Sequence, residues 1–191
     1  MSQGFSKHLQ KSPRLVLLDR DGVINHDSES YIKNISEWSP IDSSITAIVK
    51  LQLSNINVAV CTNQSGLSRG LIQKADLLSI HKLCNQKLVE AGGHSIKFFF
   101  CPHLPTDSCD CRKPLPGLLQ VAMSVFAAKS GETIFLGDSI TDWRAAKACN
   151  VDFALVMTGN GSNTLKELGL AESSSIKCHN NLAEYVDSLL L

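Results

Sequence analysis

Four strings place groups capable of chemistry along the 191-residue chain: DRDGVIN from Asp19, TNQSG from Thr62, CPHLPTDSCDCRK from Cys101 and GDSITD from Gly137. In the first, Asp19 and Asp21 stand one residue apart with a glycine next. Two carboxylates so placed can share a divalent cation and divide the work of nucleophile and proton carrier; the same pair also fits a plain polar turn. In the second, Thr62, Asn63, Gln64 and Ser65 offer hydroxyls, amides and main-chain N–H groups to phosphate oxygens, in a turn of a common kind. In the fourth, Asp138 follows Gly137, and Asp142 comes four residues later on the same helix face. Asp138 and Ser139 suit helix capping equally well.

The third string reads C-x-H-x5-C-x-C through Cys101, His103, Cys109 and Cys111. Three thiolates and an imidazole form a normal tetrahedral zinc set, and a closed shell of four protein ligands points to a structural rather than a catalytic ion. A redox pair would more naturally be spaced C-x-x-C. Arg112 and Lys113 follow directly, so an ion that orders this loop would also aim two cations. The other cysteines, Cys61, Cys84, Cys149 and Cys178, stand alone and read as free thiols in a reducing compartment.

These strings need a scaffold that gathers them. Five short apolar runs recur, RLVLLD, NVAVCT, IKFFFC, TIFLG and FALVM, ending at Asp19, Thr62, Cys101, Gly137 and Met157. Runs of that length without alternation predict strands covered on both faces. Between them, helical spacing links Ile45, Ile48, Val49 and Leu53 behind the candidate caps Asp42 and Ser43. Similar spacing links Leu77, Ile80, Leu83, Leu88 and Val89, then Leu118, Leu119, Ala122, Val125 and Phe126 after Pro116 and Gly117, then Ile140, Ala145, Ala146 and Cys149. Strand and helix in alternation predict an α/β fold: a doubly wound parallel sheet whose ligand site lies beyond the carboxyl ends of the strands. That edge would collect Asp19, Asp21, Thr62, Lys113 and Asp138, a carboxylate cage for Mg²⁺ with a lysine for phosphate charge. The chain after Gly159 shows less pattern.

Composition bounds the partners. Eighteen basic and eighteen acidic residues leave no net charge to attract nucleic acid or a polyanionic surface, and no apolar run approaches the ~20 residues of a membrane span. Residues 1–13 read as a flexible leader without an apolar signal-like stretch, and 14–191 as one domain of a cytoplasmic, monomeric protein.

In that order, DRDGVIN, TNQSG, RKP and GDSITD resemble the four motifs of the haloacid dehalogenase superfamily of phosphatases, over nearly the whole chain after the leader. The resemblance implies a Rossmann-like fold with a minimal cap and a zinc-binding loop. It also implies a phosphoric monoester hydrolase working through an aspartyl phosphate. DRDGVIN, SGLSRG and CRKPLPG are most similar to the branch that removes the 7-phosphate of D-glycero-D-manno-heptose 1,7-bisphosphate; the compact cysteine loop is similar as well to the histidinol phosphate branch. By that resemblance Asp19 is the nucleophile and Asp21 the general acid and base. Mg²⁺ falls to Asp19, Asp138 and the Asp21 carbonyl, and the equatorial oxygens to Thr62, Asn63 and Lys113. Gln64, Ser65, Arg112, Arg69 and the segment from Asp27 to Tyr31 are candidate substrate contacts, and Asp142 either orients Lys113 or metal-bound water or sits exposed on its helix. The contrasting class is a zinc-stabilised module that binds phosphorylated ligands without catalysis; both aspartates of the first string count against it.

Overall fold

The computed structural model describes residues 12–173 and 176–191, so the expected leader lies almost wholly outside the described residues. The five expected strands are present as β1 (Leu15–Leu18), β2 (Asn57–Asn63), β3 (Lys97–Cys101), β4 (Thr133–Gly137) and β5 (Asp152–Val156), joined by β6 (Lys177–His179). All pair in parallel, in the order β3-β2-β1-β4-β5-β6. The helices are α1 (Asp42–Leu53), α2 (Lys74–Glu90), α3 (Gly117–Val125), α4 (Ile140–Ala148), α5 (Gly161–Ser173) and α6 (Leu182–Leu190).

Strand β1 shows why its sequence carries no alternation. Val16 and Leu18 join one core with residues of α1, α2 and α6, whereas Leu15 and Leu17 join a second core with α3 and α4. Each of these side chains leaves water completely, which is worth about 1.5–3 kcal/mol apiece. The chain winds outward from β1 through β2 to β3, then returns to β4 and winds the other way. The strand order therefore reverses between β1 and β4, and a crevice opens beyond their carboxyl ends. Register completes the placement: Leu18 pairs with both Val60 and Leu136, and the Asp19 N–H donates to the Leu136 carbonyl at 2.9 Å. Asp19, Thr62 and Asp138 consequently leave the sheet at one edge.

Several local expectations shift. Ile41, not Asp42 or Ser43, occupies the N-cap of α1, with no side-chain bond; Asp42 lies in the first turn, where its charge suits the helix dipole. Leu53, Val89 and Val125 face solvent, because each falls in the final turn of its helix, past the residues that reach the cores. Between β1 and α1, residues 19–41 form an irregular excursion rather than a separate cap. Bridges Asp21–Asn25 and Asn25–Pro40, a Ser44 hydroxyl donating to the Val23 carbonyl at 2.7 Å, and the buried Ile32 and Trp38 hold it to the body.

Gly22 makes the sharp exit from β1. Its φ of +77° lies in the left-handed region, and a β-carbon there would collide with the Asp138 carboxylate and press on Gly159. The substitution Gly22→Ala should therefore destabilise the protein by about 1–3 kcal/mol, read as a lower urea midpoint with an unchanged slope. An unaltered midpoint would contradict this account of the turn.

Candidate active site

The site is organised around one ammonium group. Lys113, 2% exposed, places Nζ 2.9 Å from Asp19 Oδ1, 2.7 Å from Asp142 Oδ1 and 2.9 Å from the Cys61 carbonyl oxygen, which its N–H reaches as a donor. Three partners match the three protons of the group. The Lys113 main chain is fixed as firmly, since the Asn63 side-chain amide donates to its carbonyl at 3.0 Å and accepts from its N–H at 3.1 Å. Asn63 thus ties the end of β2 to the cysteine loop, a role its sequence position did not announce.

Asp21 sits in a second clamp. Arg20 donates from Nε to Oδ1 at 3.0 Å and from Nη2 to Oδ2 at 2.9 Å, a bidentate fork. Asn25 Nδ2 donates to Oδ1 at 2.9 Å and Gln64 Nε2 to Oδ2 at 3.0 Å. Neither Arg20 nor Asn25 had been singled out. A buried arginine is invisible to a rule that expects guanidinium groups outside, and only DRDGVIN as a string contained the signal.

Asp138 is held from the following loop. Its Oδ2 accepts the Asn160 N–H at 2.7 Å, its carbonyl accepts the Thr164 hydroxyl at 2.8 Å, and Thr158 Oγ1 donates to the Gly22 carbonyl at 2.5 Å. Asp142 proves to be buried rather than exposed. Its Oδ2 accepts the Ser139 hydroxyl at 2.7 Å and the Ser139 N–H at 3.1 Å, a reciprocal cap at the start of α4, while its Oδ1 faces Lys113. Ser139 is therefore the cap and Asp138 is left free to face the crevice. The carboxylates of Asp19, Asp138 and Asp142 lie within 4.8 Å of one another and can hold a metal ion. With both Asp142 oxygens engaged, Asp19 and Asp138 are the pair with oxygen to spare.

A cavity of about 340 Å³ opens over these groups, lined by Asp19, Asp21, Thr62, Asn63, Gln64, Lys113 and Asp138, with Asp27 and Tyr31 on the excursion and Asn160 opposite. Tyr31 holds a φ of +63°, a conformation costly for an aromatic residue and maintained here at the cavity wall. Ser65, Arg69 and Arg112 do not line it. Ser65 is buried, Arg69 lies exposed in the loop before α2, and Arg112 Nη1 donates to the His103 carbonyl at 3.1 Å, bracing the cysteine loop instead.

In that loop, Cys101 Sγ lies 3.2 Å from Cys111 Sγ and 4.0 Å from Cys109 Sγ, and His103 Nδ1 lies 3.2 Å from Cys111 and 3.5 Å from Cys101. Zinc–sulfur bonds of about 2.3 Å at tetrahedral angles give edges of about 3.8 Å, which these separations bracket. The four residues fit a metal ion, and none forms a disulfide.

Electrostatics separate Asp19 from Asp21. Burial pushes the Asp19 carboxyl up to about 7; Lys113 opposes this, and the Asp142 and Asp21 charges add to it. Burial, then the Asp142 and Asp19 charges, push Asp138 up to about 8. Asp21 is partly withdrawn from water as well, which opposes its charge, yet the Arg20 charge and the bonds from Asn25, Arg20 and Gln64 hold it below the ordinary carboxylate range. Lys113, despite burial, is raised by Asp142 and Asp19 and stays charged.

This geometry has known counterparts. The HAD-hydrolase-like family model matches residues 110–184. The chain is similar to the D-glycero-β-D-manno-heptose-1,7-bisphosphate 7-phosphatase of Pseudomonas aeruginosa, 46% identical over 81% of this chain and 86% of that protein. It is similar also to the protein of that name from Bordetella bronchiseptica, 40% identical over 93% and 98%. Among solved structures, the D,D-heptose 1,7-bisphosphate phosphatase of B. bronchiseptica, complexed with magnesium and phosphate, superposes with a TM-score of 0.87 at 39% identity, covering 93% of this chain and 98% of that one. The corresponding Burkholderia thailandensis phosphatase gives 0.70 at 32% identity, with the same coverage. With its buried lysine and clustered carboxylates at one sheet edge, the chain belongs to the haloacid dehalogenase-like hydrolases, in the family of the heptose-1,7-bisphosphate 7-phosphatases.

Proposed function

We propose that this protein removes the 7-phosphate of D-glycero-D-manno-heptose 1,7-bisphosphate through an aspartyl phosphate on Asp19, serving heptose precursor synthesis as a cytoplasmic, monomeric enzyme. The observation that carries the reading is Asp19 itself: one carboxylate oxygen is pinned by Lys113 and the Arg20 N–H at 2.7 Å, and the group faces the cavity beside Asp138. Similarity to phosphatases of that name supports the substrate.

The carboxylates of Asp19 and Asp138 and the main-chain carbonyl of Asp21 would hold Mg²⁺, which supplies charge to polarise the phosphoryl oxygens. Asp19 attacks phosphorus; as its O–P bond forms, the bond to the sugar oxygen breaks and Asp21 gives that oxygen a proton. Water then attacks phosphorus, passes its proton to Asp21, and frees Asp19 as a carboxylate. In the free site Asp21 is ionised; an incoming phosphoryl dianion raises its proton affinity by like-charge repulsion. Thr62, the Asn63 N–H and Lys113 face the equatorial oxygens, and Asp142 orients Lys113. Asp27 and Tyr31, at the cavity wall, supply sugar contacts. Zinc on Cys101, His103, Cys109 and Cys111 has a structural part, ordering the loop that delivers Lys113.

Heptose 1,7-bisphosphate should be hydrolysed with a higher kcat/KM than histidinol phosphate, and Asp19→Asn should lose at least about 10³-fold in kcat while keeping its thermal midpoint. A preference for histidinol phosphate would replace the sugar reading, and binding of phosphate esters without turnover would leave only a binding module. Purified protein should carry about one zinc per chain, and stripping it should destabilise the fold; a metal-free preparation of full stability would contradict the proposed ion. Mg²⁺ must displace protons held by Asp19 and Asp138, so its apparent affinity should rise from pH 6 to 8 with proton release visible by calorimetry. For the same reason the Mg²⁺-free protein keeps the full contribution of these two groups only below about pH 4 and loses it as pH rises through about 7 to 8. A pH-independent Mg²⁺ affinity would contradict the raised carboxyls.

A further inference from the structure

We infer that Asn63 is a positioning residue for Lys113: its side-chain amide holds the lysine's main chain to the end of β2, so that the ammonium meets the phosphoryl oxygens at a fixed place. The inference rests on the reading of Lys113 as the group that faces those oxygens. The sequence offered Asn63 as a phosphate contact, a part that its main-chain N–H can play whatever its side chain does. The side chain is engaged elsewhere. Its Nδ2 donates to the Lys113 carbonyl at 3.0 Å, and its Oδ1 accepts the Lys113 N–H at 3.1 Å.

The place of Lys113 in the chain explains why a clamp is needed. It lies between the end of β3 and the start of α3, in a stretch without strand or helix. The residue is buried, so its peptide groups need partners within the protein. Neighbouring turns leave them aside, since the Leu115 N–H goes to the Arg112 carbonyl and the Gly117 N–H to the Asp110 carbonyl. Among the described residues, the Asn63 amide is the partner of both. A carboxamide carries a donor and an acceptor side by side, and so matches a peptide N–H and C=O as a neighbouring strand would. The amide is itself anchored. Asn63 is the last residue of β2, in register with Cys101 of β3, and the next N–H, that of Gln64, donates to the Cys101 carbonyl at 2.7 Å. Farther back along β2, the Cys61 carbonyl accepts from Lys113 Nζ at 2.9 Å. Lys113 is thus bonded to β2 at both ends, main chain at Asn63 and ammonium at Cys61, with Thr62 between them lining the cavity. Asp19 and Asp142 hold the ammonium but not the chain that carries it. A charge that stabilises a transition state must be in place beforehand, and a displacement of about 1 Å costs about 10²-fold in rate.

A positioning residue acts through its partner, whereas a residue that merely closes the fold acts without it. We would measure kcat and KM for heptose 1,7-bisphosphate in Asn63→Leu, in Lys113→Met and in the double variant. Leucine keeps the shape of asparagine without its polar atoms, and the main-chain N–H stays. The expected result is a fall in kcat of about 30-fold or more for N63L, with KM within about threefold. The same substitution made in Lys113→Met should change kcat by less than about threefold. Equal falls in both backgrounds, a raised KM at constant kcat, or an unaltered kcat would overturn the inference. Should N63L fail to fold, Asn63→Asp, which keeps the acceptor for the Lys113 N–H and loses the donor to its carbonyl, is expected to show the same pattern. Hydrogen exchange gives a readout that needs no turnover, and it stands in where Lys113→Met leaves none to compare. The Lys113 amide should exchange at least about tenfold faster in N63L than in the wild type, with β1 and β4 unchanged, and equal exchange would overturn the clamp. If the wild-type protein cleaves histidinol phosphate in place of the heptose ester, the sugar reading falls and the same cycle is run with that ester. If it cleaves neither, the phosphatase reading falls, and the exchange measurement decides whether Asn63 holds Lys113.

Discussion

The ammonium of Lys113 is the interaction on which the site depends. Without it, Asp19, Asp138 and Asp142 would crowd three carboxylates into one largely buried corner of the crevice, a placement that costs several kcal/mol for each uncompensated charge. Lys113 neutralises part of that charge, yet the remainder still pushes Asp19 and Asp138 upward in proton affinity. A crevice left with surplus negative charge and spare carboxylate oxygen is one that a divalent cation completes. The design extends outward from the lysine. Asn63 grips its backbone, Asp142 is capped by Ser139 so that it can face it, and the cysteine cluster ends two residues before it.

The second device separates two aspartates that differ in position by two residues. Asp19 meets one lysine and two other carboxylates, whereas Asp21 meets a guanidinium fork and two amides. One environment raises the proton affinity of its carboxyl, and the other lowers it, the contrast on which the proposed division of labour rests. The excursion between β1 and α1 supplies Asn25 to this second environment and Tyr31 to the cavity wall, so a stretch without regular structure takes part on both counts.

Much of this was legible in the sequence because short unalternating apolar runs in alternation with helical spacing fit the strands of a parallel sheet, whose carboxyl ends meet at a switch in strand order; β3, at the sheet edge, departs from the expected cover on both faces, its phenylalanines being only half-buried. Asp19, Thr62 and Asp138 follow from that rule; Lys113, well past the end of β3, is brought back to the edge by the cysteine loop. What escaped it were bonds formed by the main chain, such as the Asn160 N–H on Asp138, and side chains whose type suggested another use. Arg112 looked like an anion ligand and braces a carbonyl; Asn63 looked like a phosphate contact and its amide ties two loops. The chain beyond Gly159 was obscure because Gly169, at φ +67°, breaks α5 and because β6 is short and largely exposed. Yet α6 carried its own signal, with Asn181 as cap, Glu184 three residues on, and Leu182, Tyr185 and Val186 on the buried face.

The most direct test of the central claim is to trap the covalent intermediate. Acid quenching during turnover of the sugar bisphosphate with Mg²⁺, followed by peptide mass analysis, should find one phosphoryl group on Asp19 and none in the absence of Mg²⁺. A phosphoryl group on another residue, or turnover with none trapped even when quenching outruns its hydrolysis, would contradict the account.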